Sequence, residues 1–119
     1  MLVGGRSSRT KGAVAERSVA KILDEYGFDG ARNGRNGITS EDVVHSLPLV
    51  HVEVKRCEKI AIPAWLRQAE GDAPEGHTPA VVFRKSREPW RIIVPFDHYL
   101  SLQQRVRQCE HHNNQTNDG

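Results

Sequence analysis

The first half of the chain shows a helical apolar period and then an alternating one. A predicted helix over residues 13–27 carries apolar side chains on one face, at Val19, Ile22, Leu23 and Tyr26. Gly27 follows at a position typical of a helix stop. Further on, the valines of residues 49–55 alternate with His51, Glu53 and Lys55, which predicts a strand with one apolar face.

The remaining pattern completes an α/β architecture. Residues 42–46 predict a strand that forms a hairpin with residues 49–55 through a turn at residues 46–48. A helix starting near Pro63 and ending at Gly71 follows, and Trp65, Leu66 and Ala69 share one of its faces. Two more apolar runs of strand length follow, at residues 80–83 and 90–94. Asp97 can then cap a helix over residues 97–107, and a polar segment follows at residues 108–119. The order α-β-β-α-β-β-α predicts a mixed central β-sheet flanked by helices.

Length and composition indicate one domain. The chain has 119 residues, a net charge of +2 and two cysteines. A membrane span needs ~20 consecutive apolar residues, and no run approaches that length, so we expect no membrane association. The absence of a CxxC pair argues against a zinc site built from cysteines, and we expect Cys57 to be structural and the compartment to be a reducing cytoplasm. The predicted domain covers residues 13–107, between a basic flexible arm at 1–12 and a disordered polar tail at 108–119.

Basic residues cluster in two glycine-containing segments. The arm carries Arg6, Arg9 and Lys11 and has no acidic residue, and the loop at residues 29–40 carries Arg32 and Arg35. Such segments neutralise phosphates and release counterions, which favours nucleic-acid binding. A solvated N-terminus explains the arm equally well.

Three carboxylates and a lysine are candidates for chemistry. Glu53 and Lys55 lie on one face of the predicted strand, and a hairpin would bring Asp42 close to Glu53. Carboxylates placed together repel each other unless a cation lies between them, and a site rich in oxygen ligands suits Mg²⁺ or Mn²⁺. Taken alone, Glu53 and Lys55 are also typical of a solvent-facing ion pair.

Glu16 precedes Val19, Ala20 and Leu23 by three, four and seven residues, so it belongs to the predicted buried face of the first helix. A buried carboxylate needs a cationic partner or a metal ion. The alternative is a partly exposed Glu in the first helical turn, which the helix dipole favours.

The sequence resembles the PD-(D/E)xK nuclease superfamily, and within it the Holliday junction resolvases of the Hjc type. The resemblance extends from about Lys11 to Leu102. It rests on Lys11-Gly12 with Ala15-Glu16-Arg17, on Gly27-Phe28 before Arg32, on Asp42, and on Glu53-Val54-Lys55. Two positions depart from the family pattern: Glu41 replaces the proline of the motif, and residues 33–37 offer no clear counterpart of a catalytic loop serine.

The resemblance implies a restriction-endonuclease-like core and a Mg²⁺-dependent endonuclease that resolves four-way DNA junctions by paired symmetric cuts, with Mn²⁺ able to substitute. Asp42, Glu53 and Glu16 would bind the metal, with the Val54 carbonyl as a further ligand, and Lys55 would be the catalytic lysine. It further implies a homodimer that acts in DNA recombination and repair in the cytoplasm of a bacterial or archaeal host, encoded by the host or by a phage. The residues expected to contact DNA are Arg6, Arg9, Lys11, Arg17, Arg32, Asn33, Arg35 and Arg56.

Other interpretations remain open at the level of sequence. The same four residues would serve a nuclease or nickase acting on duplex, flap or other branched DNA. A non-catalytic nucleic-acid-binding module would carry the carboxylates only as surface charges. Gln68 is expected to be a surface residue, and the histidines show no metal-ligand spacing, so none is expected to be a ligand.

Overall fold

A computed structural model describes the backbone of residues 3–32 and 42–117, and the side chains of residues 12–32 and 42–110. Its helices are α1 (Val3–Glu25), α2 (Ile62–Asp72) and α3 (Phe96–Asn117). Its strands are β1 (Ala31–Arg32), β2 (Val43–Val44), β3 (Val50–Arg56), β4 (Thr78–Arg84) and β5 (Arg91–Ile93). The predicted α/β class and element order are observed, with β1 as an additional short strand.

Helix α1 ends where the glycine predicts. Gly27 has a φ of 87°, a left-handed conformation that costs glycine little. The Phe28 N–H donates to the Leu23 carbonyl at 2.8 Å and the Gly27 N–H donates to the Asp24 carbonyl at 2.9 Å. This pair of bonds is a Schellman motif, which satisfies two carbonyls at the end of the helix.

Both terminal segments differ from their prediction. Residues 3–12, expected as a flexible arm, are the beginning of α1, and residues 108–117, expected as a disordered tail, continue α3. Neither segment contains a proline, so nothing interrupts the helical hydrogen bonding of the neighbouring turns. Extending an existing helix costs much less than nucleating one.

The main sheet has the strand order β3-β4-β5. Strands β3 and β4 are parallel, with Glu53 opposite Val81 and Lys55 opposite Phe83, and α2 connects them. Strand β5 is antiparallel to β4. Because a parallel pair needs a crossover connection, α2 must cross one face of the sheet, and its Pro63 lies in the first turn as predicted.

The predicted hairpin between residues 42–46 and 49–55 is wrong in its pairing. Strand β2 pairs with β1 in a separate antiparallel ladder, in which Ala31 faces Val44 and Arg32 faces Val43. Two residues are too few for an alternating pattern to identify the partner strand. The expected neighbourhood of Asp42 and β3 is nevertheless found, through a side-chain contact described below.

Two apolar clusters lie on opposite faces of the sheet. Under α1, Ala20 packs with Val43 and Val52, joined by Leu23 and Val54. Under α2, the cluster consists of Trp65, Ala69, Val81 and Phe83. Both faces of β3 are therefore covered, although its sequence predicts only one apolar face.

The predicted apolar face of α1 is shifted. Ile22 and Tyr26 are 39% and 76% exposed, whereas Ala15, Val19 and Ala20 are buried. Tyr26 lies beyond the last helical residue, Glu25, so the turn at Gly27 carries it away from the core.

The backbone at Gly30 packs directly against α1. A Cβ atom at this position would collide with the Ala20 carbonyl oxygen and approach the Leu23 Cβ to 2.8 Å. Only glycine allows the chain to pass from α1 into β1 along this path.

We therefore expect Gly30→Ala to destabilise the fold by ~1–3 kcal/mol, the usual cost of overpacking against backbone. Gly71→Ala is the matched control, because a Cβ there meets nothing within 4 Å. Urea denaturation of both variants measures the difference. Equal stability of the two variants would contradict the close packing of Gly30 on α1.

Candidate metal and catalytic site

Strand β3 carries two buried polar side chains on its α2-facing side. His51 is 0% exposed and Glu53 is 1% exposed. The His51 Nε2 and Glu53 Oε1 atoms are 2.9 Å apart and share a hydrogen bond. The sequence left open a solvent-facing Glu53, but α2 covers this face because it must connect two parallel strands.

The environment of Glu53 favours its neutral form. Burial raises the pKa of the Glu53 carboxyl from 4.5 to about 7, the hydrogen bond from His51 opposes this rise, and the negative charges of Asp42 and Asp72 add to it. Such a carboxyl ionises more readily once a cation is bound beside it.

Asp42 lies at the outer edge of β3. Its Oδ2 atom accepts a hydrogen bond of 2.7 Å from the Val54 N–H. Because β3 is the outer strand of its sheet, the Val54 N–H group at this edge needs a hydrogen-bond acceptor, which Asp42 supplies. It also brings the Asp42 carboxylate close enough to raise the pKa of Glu53. The predicted approach of these two acids is therefore present without the hairpin.

Glu16 comes from the middle of α1, because that helix begins at Val3. The alternative of a first-turn Glu is therefore wrong. Its side chain is 22% exposed and its Oε2 atom accepts from Arg32 Nε at 3.3 Å. Burial and the Asp42 charge raise the pKa of Glu16, and Arg32 opposes that rise. Asp42 thus interacts electrostatically with both other acids.

Lys55 follows Glu53 on the same face of β3. Its Nζ donates a hydrogen bond of 2.6 Å to Gln68 Oε1 on α2. Gln68 is exposed, as expected, yet it makes a specific contact with the candidate catalytic lysine. The sequence gives no signal for this contact, because Trp65, Leu66 and Ala69 already account for the packed face of α2.

The structure places only part of the predicted DNA-contacting set. Arg17 and Arg32 are exposed and Arg56 is half-buried at the end of β3. The backbone of Arg6, Arg9 and Lys11 lies in α1, and Asn33 and Arg35 fall outside the described residues, as does Glu41.

Two further residues, which sequence reasoning missed, join Glu53. Ligand atoms of His51, Glu53 and Asp72 all lie within 4.8 Å of one another. His51 had a signal, since it precedes Glu53 by two residues and shares its strand face. Asp72 had none, because its position at the end of α2 depends on how that helix packs.

The donor chemistry fits a divalent cation. Burial and the negative charges of Asp42 and Asp72 raise the pKa of the Glu53 carboxyl. A cation placed beside Glu53 would relieve the repulsion among these groups and favour its ionised form. The group formed by His51, Glu53 and Asp72 is able to hold a metal ion.

We expect Glu53→Gln to be more stable than the wild-type protein in metal-free buffer at about pH 8. The carboxyl pKa is about 7 in the folded protein against 4.5 ordinarily. Its stabilising contribution is therefore fully present below pH 4.5 and is lost as the pH rises through about 7. A neutral amide avoids this loss, which amounts to ~1–3 kcal/mol by linkage.

Thermal unfolding of the two proteins between about pH 5 and pH 8 measures the effect. The advantage of the variant should grow with pH, while the exposed Glu75→Gln control should follow the wild-type protein. Added Mn²⁺ should raise the melting temperature of the wild-type protein and leave that of Glu53→Gln nearly unchanged. A pH-independent difference would show that the Glu53 carboxyl does not titrate in this way.

The chain is similar to the solved structure of Hjc from Archaeoglobus fulgidus, a Holliday junction resolvase from an archaeal hyperthermophile. The identity is 22%, the alignment covers 71% of this chain and 72% of that chain, and the TM-score is 0.49. At these values the similarity carries no argument about activity. A comparison with curated proteins found no match.

A family model gives the assignment. The model described as "Phage putative PDDEXK endonuclease" matches residues 7–118. This span includes Glu16, Asp42, Glu53 and Lys55, and it covers all five strands. By this match, the chain belongs to the phage PD-(D/E)xK endonuclease family.

Proposed function

We propose that this protein is a divalent-metal-dependent endonuclease that resolves four-way DNA junctions, with Mg²⁺ as its cofactor and Mn²⁺ as a substitute. The observation that carries the nuclease assignment is the hydrogen bond from the Val54 N–H to Asp42. It holds the Asp42 carboxylate beside the buried Glu53, at the edge of the sheet where Glu16 also lies. Membership of the PD-(D/E)xK endonuclease family supports the same chemistry.

Asp42 and Glu53 would hold the metal, with Glu16 as a further acid that binds it or positions a water molecule. A bound divalent ion supplies charge neutralisation at the scissile phosphate and lowers the pKa of water. Hydrolysis would join the water oxygen to phosphorus and break one phosphorus–oxygen bond of the DNA backbone, and a proton from the water would end on the departing sugar oxygen. Asp42 keeps its orientation throughout, because its other contact is with the β3 backbone.

Lys55 would stabilise the negative charge that develops on the phosphate. Its ammonium is held toward α2 by Gln68 at 2.6 Å, which limits the rotamers of a flexible side chain. Preorganised positive charge of this kind needs little rearrangement during the reaction. Gln68 would therefore position the lysine without touching the substrate.

DNA would approach across the basic residues of α1 and the segment that follows it. Arg17 and Arg32 are both exposed, and Arg32 links this surface to Glu16 through their ion pair. An exposed ion pair of this kind contributes little to stability, typically below ~1 kcal/mol. Its exchange for a phosphate contact would therefore cost little.

A homodimer would supply the two active sites that paired cuts require. The face formed by β5 and α3 supports this part of the proposal. Ile92, Tyr99, Leu102 and Val106 are between 41% and 58% exposed, and several of these side chains border an apolar groove of about 400 Å³. Trp90, just before β5, is half-buried, and the Arg84 guanidinium carbon lies 4.6 Å from the centre of its ring.

The described part of the chain holds no helix of the length and apolarity that crossing a membrane requires.

The substrate assignment is tested by incubating the protein with a synthetic four-way junction and with a linear duplex of the same sequence. We expect paired symmetric nicks in the junction alone, in Mg²⁺ and not in EDTA, and none with Glu53→Ala. Equal cutting of the duplex or of a flap substrate would keep the nuclease and discard junction resolution. Binding without cutting in any divalent metal would favour the non-catalytic module.

Lys55→Ala should lower the cleavage rate by a factor of ~10²–10³, the usual cost of removing one preorganised charge-stabilising group. Junction affinity should change little, since phosphate contacts elsewhere dominate binding. Lys59→Ala, an exposed lysine on the following turn, is the matched control and should cleave normally. A gel-shift assay run beside the cleavage assay separates the two effects. Parallel loss of binding and cleavage would contradict the role given to Lys55.

A further inference from the structure

The contacts around His51 satisfy only one of its two ring nitrogens, the Nε2 atom that is hydrogen-bonded to Glu53. The ring is fully buried, and its Nδ1 atom has no hydrogen-bond partner among the described residues. An unsatisfied buried nitrogen costs ~1–3 kcal/mol, which an apolar residue at the same position would avoid. A buried polar atom without a partner calls for a role beyond packing.

We propose that His51, Glu53 and Asp72 form an alternative cation site that takes a transition-metal ion of the Zn²⁺ type in preference to Mg²⁺. The site shares Glu53 with the Asp42 side of the centre and lies on the face of β3 that α2 covers. Occupation of one side would therefore compete with occupation of the other. This makes the ion an inhibitor of the Mg²⁺-dependent reaction.

The spacing of the three side chains suits such an ion. Tetrahedral Zn²⁺ with bonds of ~2.0 Å places its ligand atoms ~3.3 Å apart. The ligand atoms of all three residues lie within 4.8 Å of one another, and an ion there would replace the proton that His51 Nε2 and Glu53 Oε1 share across 2.9 Å. Small side-chain adjustments would therefore accommodate the ion. Three protein ligands leave a fourth position for water.

The donor types decide which metal is preferred. An imidazole nitrogen suits Zn²⁺, Co²⁺ and Ni²⁺, whereas Mg²⁺ prefers oxygen ligands and retains its waters. Asp42, Glu53 and Glu16 offer oxygen only, so they suit Mg²⁺. Ligand chemistry thus gives the two sides of Glu53 different metal preferences.

Asp72 provides the entrance. It is exposed at the end of α2, while His51 and Glu53 are buried beneath that helix. An ion arriving from solvent would meet Asp72 first and then reach the two inner ligands. The electrostatic effect of Asp72 on Glu53 places both carboxylates in one local field, which attracts a cation.

The first test is Co²⁺ binding to the full-length protein after EDTA treatment and dialysis. We expect one equivalent to give the visible absorption of four-coordinate Co²⁺ without thiolate bands, and Zn²⁺ to displace it. Asp72→Asn, an exposed change that spares the core, should weaken binding at least tenfold, and His51→Gln should do the same. His77→Gln and the double variant His111→Gln/His112→Gln are matched controls that should bind normally.

Unchanged Co²⁺ affinity in Asp72→Asn would overturn the proposal. Thiolate bands in the absorption spectrum of the Co²⁺ protein would also overturn it, as would loss of Co²⁺ binding in the His111→Gln/His112→Gln variant. This test does not need the protein to be a nuclease, so its failure is distinct from failure of the proposed function.

The second test rests on the proposed function and measures junction cleavage in Mg²⁺ with increasing Zn²⁺. Inhibition should be relieved by more Mg²⁺. Asp72→Asn should need at least tenfold more Zn²⁺ for half-inhibition, each protein being normalised to its own uninhibited rate. Equal sensitivity of the two proteins would contradict competition through Glu53.

Discussion

The hydrogen bond between the Val54 N–H and the Asp42 carboxylate connects the two sheets of this protein at its chemical centre. Strand β3 is the outer strand of its sheet, and β2 pairs with β1 in a separate ladder. Asp42 immediately precedes β2, so its 2.7 Å bond to β3 fixes the position of one ladder against the other. The packing of Val43 under α1 with Val52 reinforces the same junction. Geometry at the candidate metal site and packing of the α1-side core therefore depend on one another.

The two faces of β3 carry different kinds of side chain. Its valines join the α1 cluster, while His51, Glu53 and Lys55 face α2. Because α2 is the crossover between parallel strands, it covers polar side chains as well as apolar ones. It also contributes Gln68 and Asp72 to their surroundings. Burial of Glu53 follows from this topology and raises its pKa, which couples the fold to the affinity of the site for cations.

The sequence predicted best those features that depend on local chemistry. Gly27 marks the end of α1 because its φ of 87° suits glycine, and Pro63 marks the start of α2 because its fixed φ suits a first helical turn. The family motif identified Glu16, Asp42, Glu53 and Lys55, and the charge of Asp42 raises the pKa of both other acids. Their catalytic and ligand roles stay predictions.

Features set by tertiary packing were not predictable in the same way. Strand β1 is two residues long, which is too short to show a period. The sequence therefore predicts the wrong partner strand for β2. The contact of Gln68 with Lys55 and the approach of Asp72 to Glu53 depend on the position of α2 over the sheet. The first turns of α1 and the last turns of α3 are helical because helix formation extends from the neighbouring turns. The composition of these segments, taken alone, predicts disorder.

The order of assembly has a consequence for the timing of activity. Glu16 lies on α1, Asp42 immediately precedes β2 and Glu53 lies on β3, while α2, which covers Glu53, connects β3 to β4. Contacts between residues far apart in sequence form late and slowly in folding. A chain still emerging from the ribosome, or one partly unfolded, would hold these acids apart. Any reaction that needs them together is then confined to the completed fold.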